Sequence, residues 1–283
     1  MKRKSVLIVG CGDLGERSGR RLLACGWAVS GVRRDPTRLP ADFTGFAADY
    51  TVAGSLDFAA GLRPDYVLAT FNPVDRSPAG YRSGYTDAMA NLLAGLGSYL
   101  PRAIVMVSST RVFAQDCGGW VDEDSALTTS DPRAQAIIEA ERALLESAHR
   151  ACVVRLAGIY GAPQGRLLSR IARGQLCSSQ PRRYSNRIHR DDCAGFLVHL
   201  LQRDAAGGSL APLYIGVDDC PAEQFEVESW LARELGVTAQ PGQYAPASAA
   251  HKRCSNRRLR DTGYDLRYPD YRSGYRAVLR ERG

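Results

Sequence analysis

Through the first half of the chain, short unbroken apolar runs alternate with stretches whose apolar positions recur at helical spacing. Val6-Leu-Ile-Val9 has no polar position to turn toward water and reads as a strand buried on both faces. A helix follows over Asp13 to Cys25, with Leu14, Leu22 and Leu23 apolar and Gly26 as its terminating glycine. The same logic predicts strands over Trp27 to Val32, Phe43 to Ala48, Asp65 to Thr70, Ala103 to Ser108 and Cys152 to Leu156. Between them it predicts a small helix over Gly54 to Leu62, a long one over Gly80 to Tyr99, and one over Pro132 to His149 with Asp131 as N-cap and Pro132 in the first turn. Strands and helices alternating at short spacing specify an α/β fold: a doubly wound parallel sheet covered on both faces. Beyond Gly165 the alternation stops. Short helices (166–173, 191–203, 222–235), a strand over Leu213 to Val217 and an irregular Pro/Tyr/Arg-rich tail suggest a smaller C-terminal lobe. The expected division is a sheet domain over 1–163 and a capping lobe over 164–283, not fully separate, the strand near 213–217 being a candidate to join the main sheet.

The first strand runs directly into Gly10-Cys-Gly-Asp-Leu-Gly15, a GxGxxG pattern between a strand and a helix. Each glycine has its own steric reason. Gly10 permits the tight turn off the strand, Gly12 removes a side chain where a pyrophosphate must approach the backbone, and Gly15 lets the helix pack on the strand. The N–H groups and positive dipole end of that helix then face an anion, which makes Gly10, Gly12, Asp13, Leu14 and Gly15 a candidate dinucleotide cradle. An acidic residue at the end of the second strand, roughly 20 residues on, would accept from a ribose 2′-hydroxyl. That slot is Ser30-Gly31, followed by Arg33-Arg34. Two guanidinium groups suit a 2′-phosphate, so NADP is favoured over NAD; the alternative is that they are solvated loop charges, partly offset by Asp35.

Composition changes this picture little. At 283 residues, 45% hydrophobic and 24% charged, the chain can build a full globular core. The net charge of +7 is carried by arginine, since lysine occurs only at 2, 4 and 252. The arginines are scattered rather than drawn into a basic stripe with interleaved aromatics, which argues against nucleic acid and for anionic small molecules. Eight cysteines (11, 25, 117, 152, 177, 193, 220, 254) form no CxxC pair and do not cluster with the four histidines at ligand spacing, so no metal site and reduced, buried thiols are expected. No apolar run approaches the ~18–20 residues that span a bilayer, and Ser5 to Val9 is too short for a signal-peptide core. A cytoplasmic, soluble monomer or homodimer is the expectation.

Further along lie Asp49 after the third strand, Val107-Ser-Ser-Thr-Arg-Val-Phe113, Val154-Arg-Leu-Ala-Gly-Ile-Tyr-Gly161, Arg187-Ile-His-Arg-Asp-Asp192 and Tyr214-Ile-Gly-Val-Asp-Asp-Cys-Pro221. With the glycine turn, these pieces resemble, in order and over nearly the whole chain, the extended and atypical short-chain dehydrogenase/reductases of the NAD-dependent epimerase/dehydratase type. Lys252-Arg-Cys-Ser-Asn-Arg-Arg-Leu259 looks like the C-terminal stretch of a bacterial subgroup. The resemblance implies a Rossmann-type sheet. It implies that Asp49 bonds the adenine amino group, that Thr70, Phe71 and Ser108 line the dinucleotide, and that Ser109 occupies the active-site Ser/Thr position. It further implies that Arg155 and Gly158–Gly161, including Tyr160, shape the nicotinamide and substrate pocket, and that His189 and Asp192 fix the C-terminal lobe or contact substrate. The residues also admit plainer readings. Asp49 can cap a turn, Ser108 and Ser109 can end a strand, one of Asp191 and Asp192 can N-cap a helix, and His189 can be a satisfied structural histidine. Arg155, at a strand end, needs an anionic partner either way.

The departure from the resemblance is in the helix after the serine strand. The family's chemistry uses a Tyr-x-x-x-Lys pair one helical turn apart, the lysine lowering the tyrosine pKa for proton transfer. Here that helix reads Pro132-Arg-Ala-Gln-Ala-Ile-Ile-Glu-Ala-Glu141, placing the tyrosine slot near Arg133 and the lysine slot near Ile137, and the position four before Lys252 is Ser248. Two functional classes therefore stand: an NAD(P)-dependent oxidoreductase, epimerase or dehydratase acting on a small molecule with a replaced acid/base (Ser109, Tyr160, His189 or Glu139), and a non-catalytic NADP(H)-binding redox sensor or regulator. Arg182, Arg183 and Arg187 are either a grip for a phosphorylated substrate or surface charges.

Overall fold

The computed structural model describes residues 3–238, 240–244 and 251–282; Lys2 and Ser248 lie outside the described residues. In chain order its elements are β1 (Ser5–Val9), α1 (Asp13–Ala24), β2 (Ala28–Arg33), β3 (Thr44–Ala47), α2 (Ala59–Leu62), β4 (Tyr66–Ala69), α3 (Pro78–Tyr81), α4 (Ala88–Leu96), β5 (Ala103–Ser109), β6 (Trp120–Val121), α5 (Pro132–Leu145) and β7 (Ala151–Leu156). They continue with β8 (Gly158–Tyr160), α6 (Arg166–Ile171), β9 (Gln175–Cys177), β10 (Tyr184–Ser185), β11 (Arg187–His189), α7 (Arg190–Ala205), β12 (Leu213–Gly216), β13 (Ala222–Glu223), α8 (Gln224–Glu234), β14 (Gln240–Tyr244), β15 (Arg253–Cys254), α9 (Arg257–Arg260) and α10 (Tyr271–Arg282).

The doubly wound α/β fold is present. Seven strands form a parallel sheet in the order β12-β7-β5-β4-β1-β2-β3. β1 sits centrally because all of Val6 to Val9 is buried, which only a strand covered on both faces allows. Strand order reverses between β1, which leads to β2 and β3, and β4, which leads to β5. The crevice beyond the carboxyl ends of β1 and β4 is therefore the topological switch point. There Thr70 N–H bonds Val9 O and Cys11 N–H bonds Val32 O. The strand expected near 213–217 is the sheet edge, β12.

The chain packs as two compact units interleaved in sequence. Unit 1 is Met1–Val112, Thr128–Arg155 and Ala194–Tyr214; unit 2 is Phe113–Leu127, Leu156–Cys193 and Ile215–Gly283. The core of unit 2 gathers Leu168, Ile171, Leu176, Val227, Trp230, Leu231, Tyr271, Tyr275 and Val278.

Several local expectations are corrected. The long helix starts earlier, at Pro78, where Ser77 Oγ accepts the Gly80 N–H, and it passes through a π-helical turn over Arg82–Asp87 before α4. Gly84 in that turn lies against the Asn72 carbonyl, where a Cβ would come within 2.3 Å, so the helix is pressed onto the loop after β4. Only Ala59–Leu62 of the small helix is α-helical, and the helix from Pro132 ends at Leu145. Asp131 caps it as expected, accepting from Arg133 N–H at 3.0 Å. Neither Asp191 nor Asp192 caps α7. His189 Nδ1 accepts the Asp191 N–H, while the Asp192 carboxylate accepts the N–H groups of Arg267 and Tyr268 and the Tyr264 hydroxyl.

The tail is not irregular. In α10 the buried residues Tyr271, Gly274, Tyr275 and Val278 fall at i, i+3, i+4 and i+7, the stripe of an amphipathic helix. The intervening arginines hide that stripe in the sequence. The segment between β5 and Pro132 carries β6, which pairs in parallel with β15, Trp120 opposite Arg253, within unit 2.

Candidate functional site

In unit 1 the glycine turn is set by three close approaches. Gly10 has φ +82°, and a Cβ there would lie 2.8 Å from Thr70 O. Gly15 lets α1 close on β1, since a Cβ would come within 2.9 Å of Ile8 Cγ2. Gly12 differs: within 4 Å a Cβ would meet only Gly10 O, at 3.8 Å, so its missing side chain is not required by the protein's own packing. Gly12 is also the N-cap of α1, and no side chain caps that helix. The helix N-terminus is thus open where the backbone is barest, the arrangement an anion needs.

The other cradle residues surround this turn. Thr70 Oγ1 donates to Gly10 O at 2.8 Å, and Phe71 is buried against the Tyr50 ring at 5.1 Å. Arg33 Nη1 donates to Cys11 O at 3.4 Å. Arg34 is exposed, and Asp35 is occupied by Thr37, whose N–H and hydroxyl it accepts. Asp13 is exposed and paired with Arg17 at 3.1 Å. Leu14 is half-buried. Asp49 Oδ1 accepts the N–H and hydroxyl of Thr51, the turn-capping arrangement. Burial opposes its ionisation, but the two Thr51 bonds and the nearby Arg34 charge outweigh it and hold the carboxyl below its usual range. Burial pushes the Cys11 thiol in the glycine turn up to about 12, which leaves it unreactive.

At the end of β5 the two serines do different things. Ser109 is half-buried and its Oγ accepts the Arg111 N–H at 3.2 Å. Ser108 is buried and donates its hydroxyl to Glu141 on α5. The same carboxylate takes Arg155 through Nε at 3.1 Å and Nη2 at 2.7 Å. The anionic partner that Arg155 requires therefore comes from the chain itself, and all three residues are buried. On α5 the lysine slot is filled by Ile137, which is fully buried, and the tyrosine slot by half-buried Arg133. Glu139 lies toward solvent and pairs with Arg82 at 3.0 Å.

In unit 2, Tyr160 is enclosed. Its ring lies 4.4 Å from that of Tyr275 and edge-on to His189 at 5.2 Å. Its hydroxyl occupies the space above Gly274, where a Cβ would come within 1.8 Å. Burial, reinforced by the Asp218 charge, raises the tyrosine pKa well above its ordinary value. His189 is buried, lies tilted against the Tyr268 ring at 4.2 Å and caps α7. Burial pushes the Asp218 carboxyl up to about 7 against the pull of Arg187. Arg182 is a surface charge paired with Glu223 at 3.5 Å, whereas Arg187 is buried and donates to Ser185 Oγ. Among the described residues no group of three or more His, Cys, Asp and Glu could hold a metal, and no helix is long and apolar enough to cross a membrane.

No family model and no curated protein sequence matches this chain. Among solved structures, a protein classed as an NAD-dependent epimerase/dehydratase from Methylobacillus flagellatus is 33% identical, with a TM-score of 0.83 and 99% of each chain covered. The chain belongs to the NAD-dependent epimerase/dehydratase family. A conserved protein of unknown function from Silicibacter pomeroyi is 25% identical, with a TM-score of 0.77 over 98% of this chain and 99% of that one. A human epimerase family protein solved with NADPH is 20% identical, with a TM-score of 0.74 over 97% of this chain and 99% of that one, and shares the fold. In this chain α5 contains neither tyrosine nor lysine.

Two residues that sequence reasoning passed over matter most. Glu141 was signalled only by the need of Arg155 for an anion. Asp218 carried no signal, because its environment is assembled from β8, β11 and α10.

Two outcomes are expected. Glu141→Gln should strand Arg155 in the core and cost about 3 kcal/mol or more in urea unfolding, with Ser108→Ala costing about 1 kcal/mol; a loss for Glu141→Gln below that of Ser108→Ala would contradict the buried pair. Asp218 holds its proton more tightly folded than unfolded, so its contribution is complete below about pH 4 and is lost as pH rises through about 7. Unfolding free energies of wild type and Asp218→Asn, measured from pH 4 to 8, should diverge by roughly 4 kcal/mol, wild type losing stability with rising pH.

Proposed function

We propose that this family member binds NADP(H) at the glycine turn of unit 1 and acts as an oxidoreductase or epimerase/dehydratase on a small molecule, using a non-standard acid–base group. The observation that carries the reading is the contrast among the three glycines. Gly10 and Gly15 are demanded by the protein's own packing, whereas a Cβ at Gly12 would make only an ordinary contact with Gly10 O, at a helix N-terminus that no side chain caps. That is the signature of a backbone kept clear for a pyrophosphate. The residues present fit the dinucleotide. The first turn of α1, including Asp13, Leu14 and Gly15, would hold the phosphates through backbone N–H groups. Thr70, Phe71 and Ser108 would line its middle, with Ser108 fixed from behind by Glu141. Asp49, whose Thr51 bonds use Oδ1, would offer Oδ2 to the adenine amino group.

The preference for NADP rests on Arg33, Arg34 and the lack of a carboxylate at the end of β2. Asp35 is the nearest acid, and its engagement with Thr37 leaves the guanidinium groups for a 2′-phosphate. When bound, the nicotinamide supplies a site that gives or accepts hydride. The chain must then hold and move the matching proton, and α5 offers no relay for it: Ile137 is apolar and buried, and arginine at 133 stays protonated. Ser109, at the mouth of β5, is the group in unit 1 that could orient a substrate hydroxyl or carbonyl. Tyr160 and Arg155 fit the role less well, because the first is enclosed and the second is bonded to Glu141.

The same facts favour a second reading, a non-catalytic NADP(H)-binding sensor, since a protein that only reports cofactor state needs the cradle and not the relay.

NADPH titration followed by fluorescence should saturate, and Gly12→Val should weaken it at least about 100-fold, the equivalent of blocking the pyrophosphate. Arg33→Ala with Arg34→Ala should cost NADPH about tenfold or more while leaving NADH little changed; equal losses would remove the 2′-phosphate argument. To separate enzyme from sensor, the protein loaded with NADPH is screened against carbonyl compounds and nucleotide sugars. Cofactor oxidation with any of them establishes an enzyme, and its absence throughout favours the sensor.

A further inference from the structure

Among the buried polar atoms of unit 2 that accept or donate no hydrogen bond are Tyr160 Oη, Arg187 Nη1 and Asp218 Oδ2. They belong to residues the fold brings side by side. β8 and β11 pair in parallel with His189 opposite Tyr160 and Arg187 opposite Gly158, and the Asp218 N–H donates to Arg187 O at 2.8 Å. The neighbouring atom of each charged group is already engaged. Arg187 Nη2 donates to Ser185 Oγ at 2.7 Å, and Asp218 Oδ1 accepts the Cys220 N–H at 3.1 Å. Arg187 is 6% exposed and Asp218 1%, so solvent at the surface does not satisfy them. The walls are aromatic. Tyr275 lies against Tyr160, the Tyr271 ring is 5.6 Å from the Arg187 guanidinium, and His189 closes the edge.

A buried cation and a buried carboxyl on adjacent residues, each with an unused polar atom, would be expected to bond each other. Arg187 Nη1 and Asp218 Oδ2 do not. Leaving such buried groups without a partner is a cost that native folds avoid. A bridging molecule resolves it, and the chemistry of the three atoms selects which one. Arg187 only donates, a hydroxyl does either, and Asp218 accepts when ionised and donates when protonated. Water both donates and accepts, and about three bonds is its usual complement in protein interiors. A simple halide only accepts, so it suits the three atoms only while Asp218 is protonated, whereas water suits both forms of the carboxyl.

We propose that unit 2 contains an internal water site in which Tyr160 Oη, Arg187 Nη1 and Asp218 Oδ2 hold one trapped water, joining β8, β11 and the turn after β12 next to α10. Gly274 is part of the design, because any side chain there would displace the Tyr160 hydroxyl.

Tyr160→Phe decides the matter in a thermal melt, because it removes one oxygen without changing the ring. If the hydroxyl is bonded to a trapped water, the variant loses that bond and Tm falls by about 2–4 °C. If the hydroxyl is dry and unsatisfied, its removal relieves a penalty, and a Tm that holds or rises overturns the proposal. A high-resolution crystal structure of the wild type should show one ordered peak at about 2.6–3.2 Å from all three atoms. A direct Arg187–Asp218 bond with no such peak, or an anomalous peak at that position after a bromide soak, also overturns it.

Discussion

The structure of unit 1 depends on how closely three backbone segments approach one another at the end of β1. Gly10 turns against the Thr70 carbonyl and Gly15 seats α1 on Ile8, and neither position has room for one more carbon atom. Those contacts place the N-terminus of α1 at the switch point of the sheet, beside the carboxyl ends of β1 and β4. Once the helix is seated there, its unsatisfied amides and its dipole make an anion site without any charged side chain. Gly12 is the one glycine of the three that the protein's own packing does not require.

A second constraint runs behind β5. In the family's usual chemistry the helix after that strand presents a proton relay. In this protein the same helix presents Glu141 inward, where it gathers Arg155 and the Ser108 hydroxyl into one buried group. An unpaired arginine in that position would be costly, so the carboxylate is needed whatever the chemistry at the sheet edge. The lysine slot has become core. The proposed nucleotide site and an α5 without tyrosine or lysine are what separate the enzyme and sensor readings.

Unit 2 solves a different problem. Its aromatic residues Tyr160, Tyr271, Tyr275 and His189 bury a charged residue, Arg187, and a carboxyl, Asp218, close together. Burial there disfavours the ionised carboxyl strongly enough to bring its titration near neutrality. The pH dependence of stability and the internal water site are two consequences of that one enclosure.

Much of this was legible in the sequence. The period of apolar positions located the strands of the sheet, because burial on both faces leaves no choice of residue in β1 or β5. The glycine spacing located the turn between β1 and α1, because steric demands at a strand–helix turn are local. The lack of Tyr-x-x-x-Lys could be read directly, since it is a statement about residue identity. The sequence could not name the partner of Arg155, the cap of α7 or the company of Asp218. Those depend on which side chains, distant along the chain, are brought together by packing, and many acids and bases were equally eligible beforehand. It also misread α10, whose apolar stripe is thin and crossed by arginines, so that only docking onto the core of unit 2 shows it to be a helix. Local geometry is written in neighbouring residues; the pairing of buried charges is decided only when the tertiary fold closes around them.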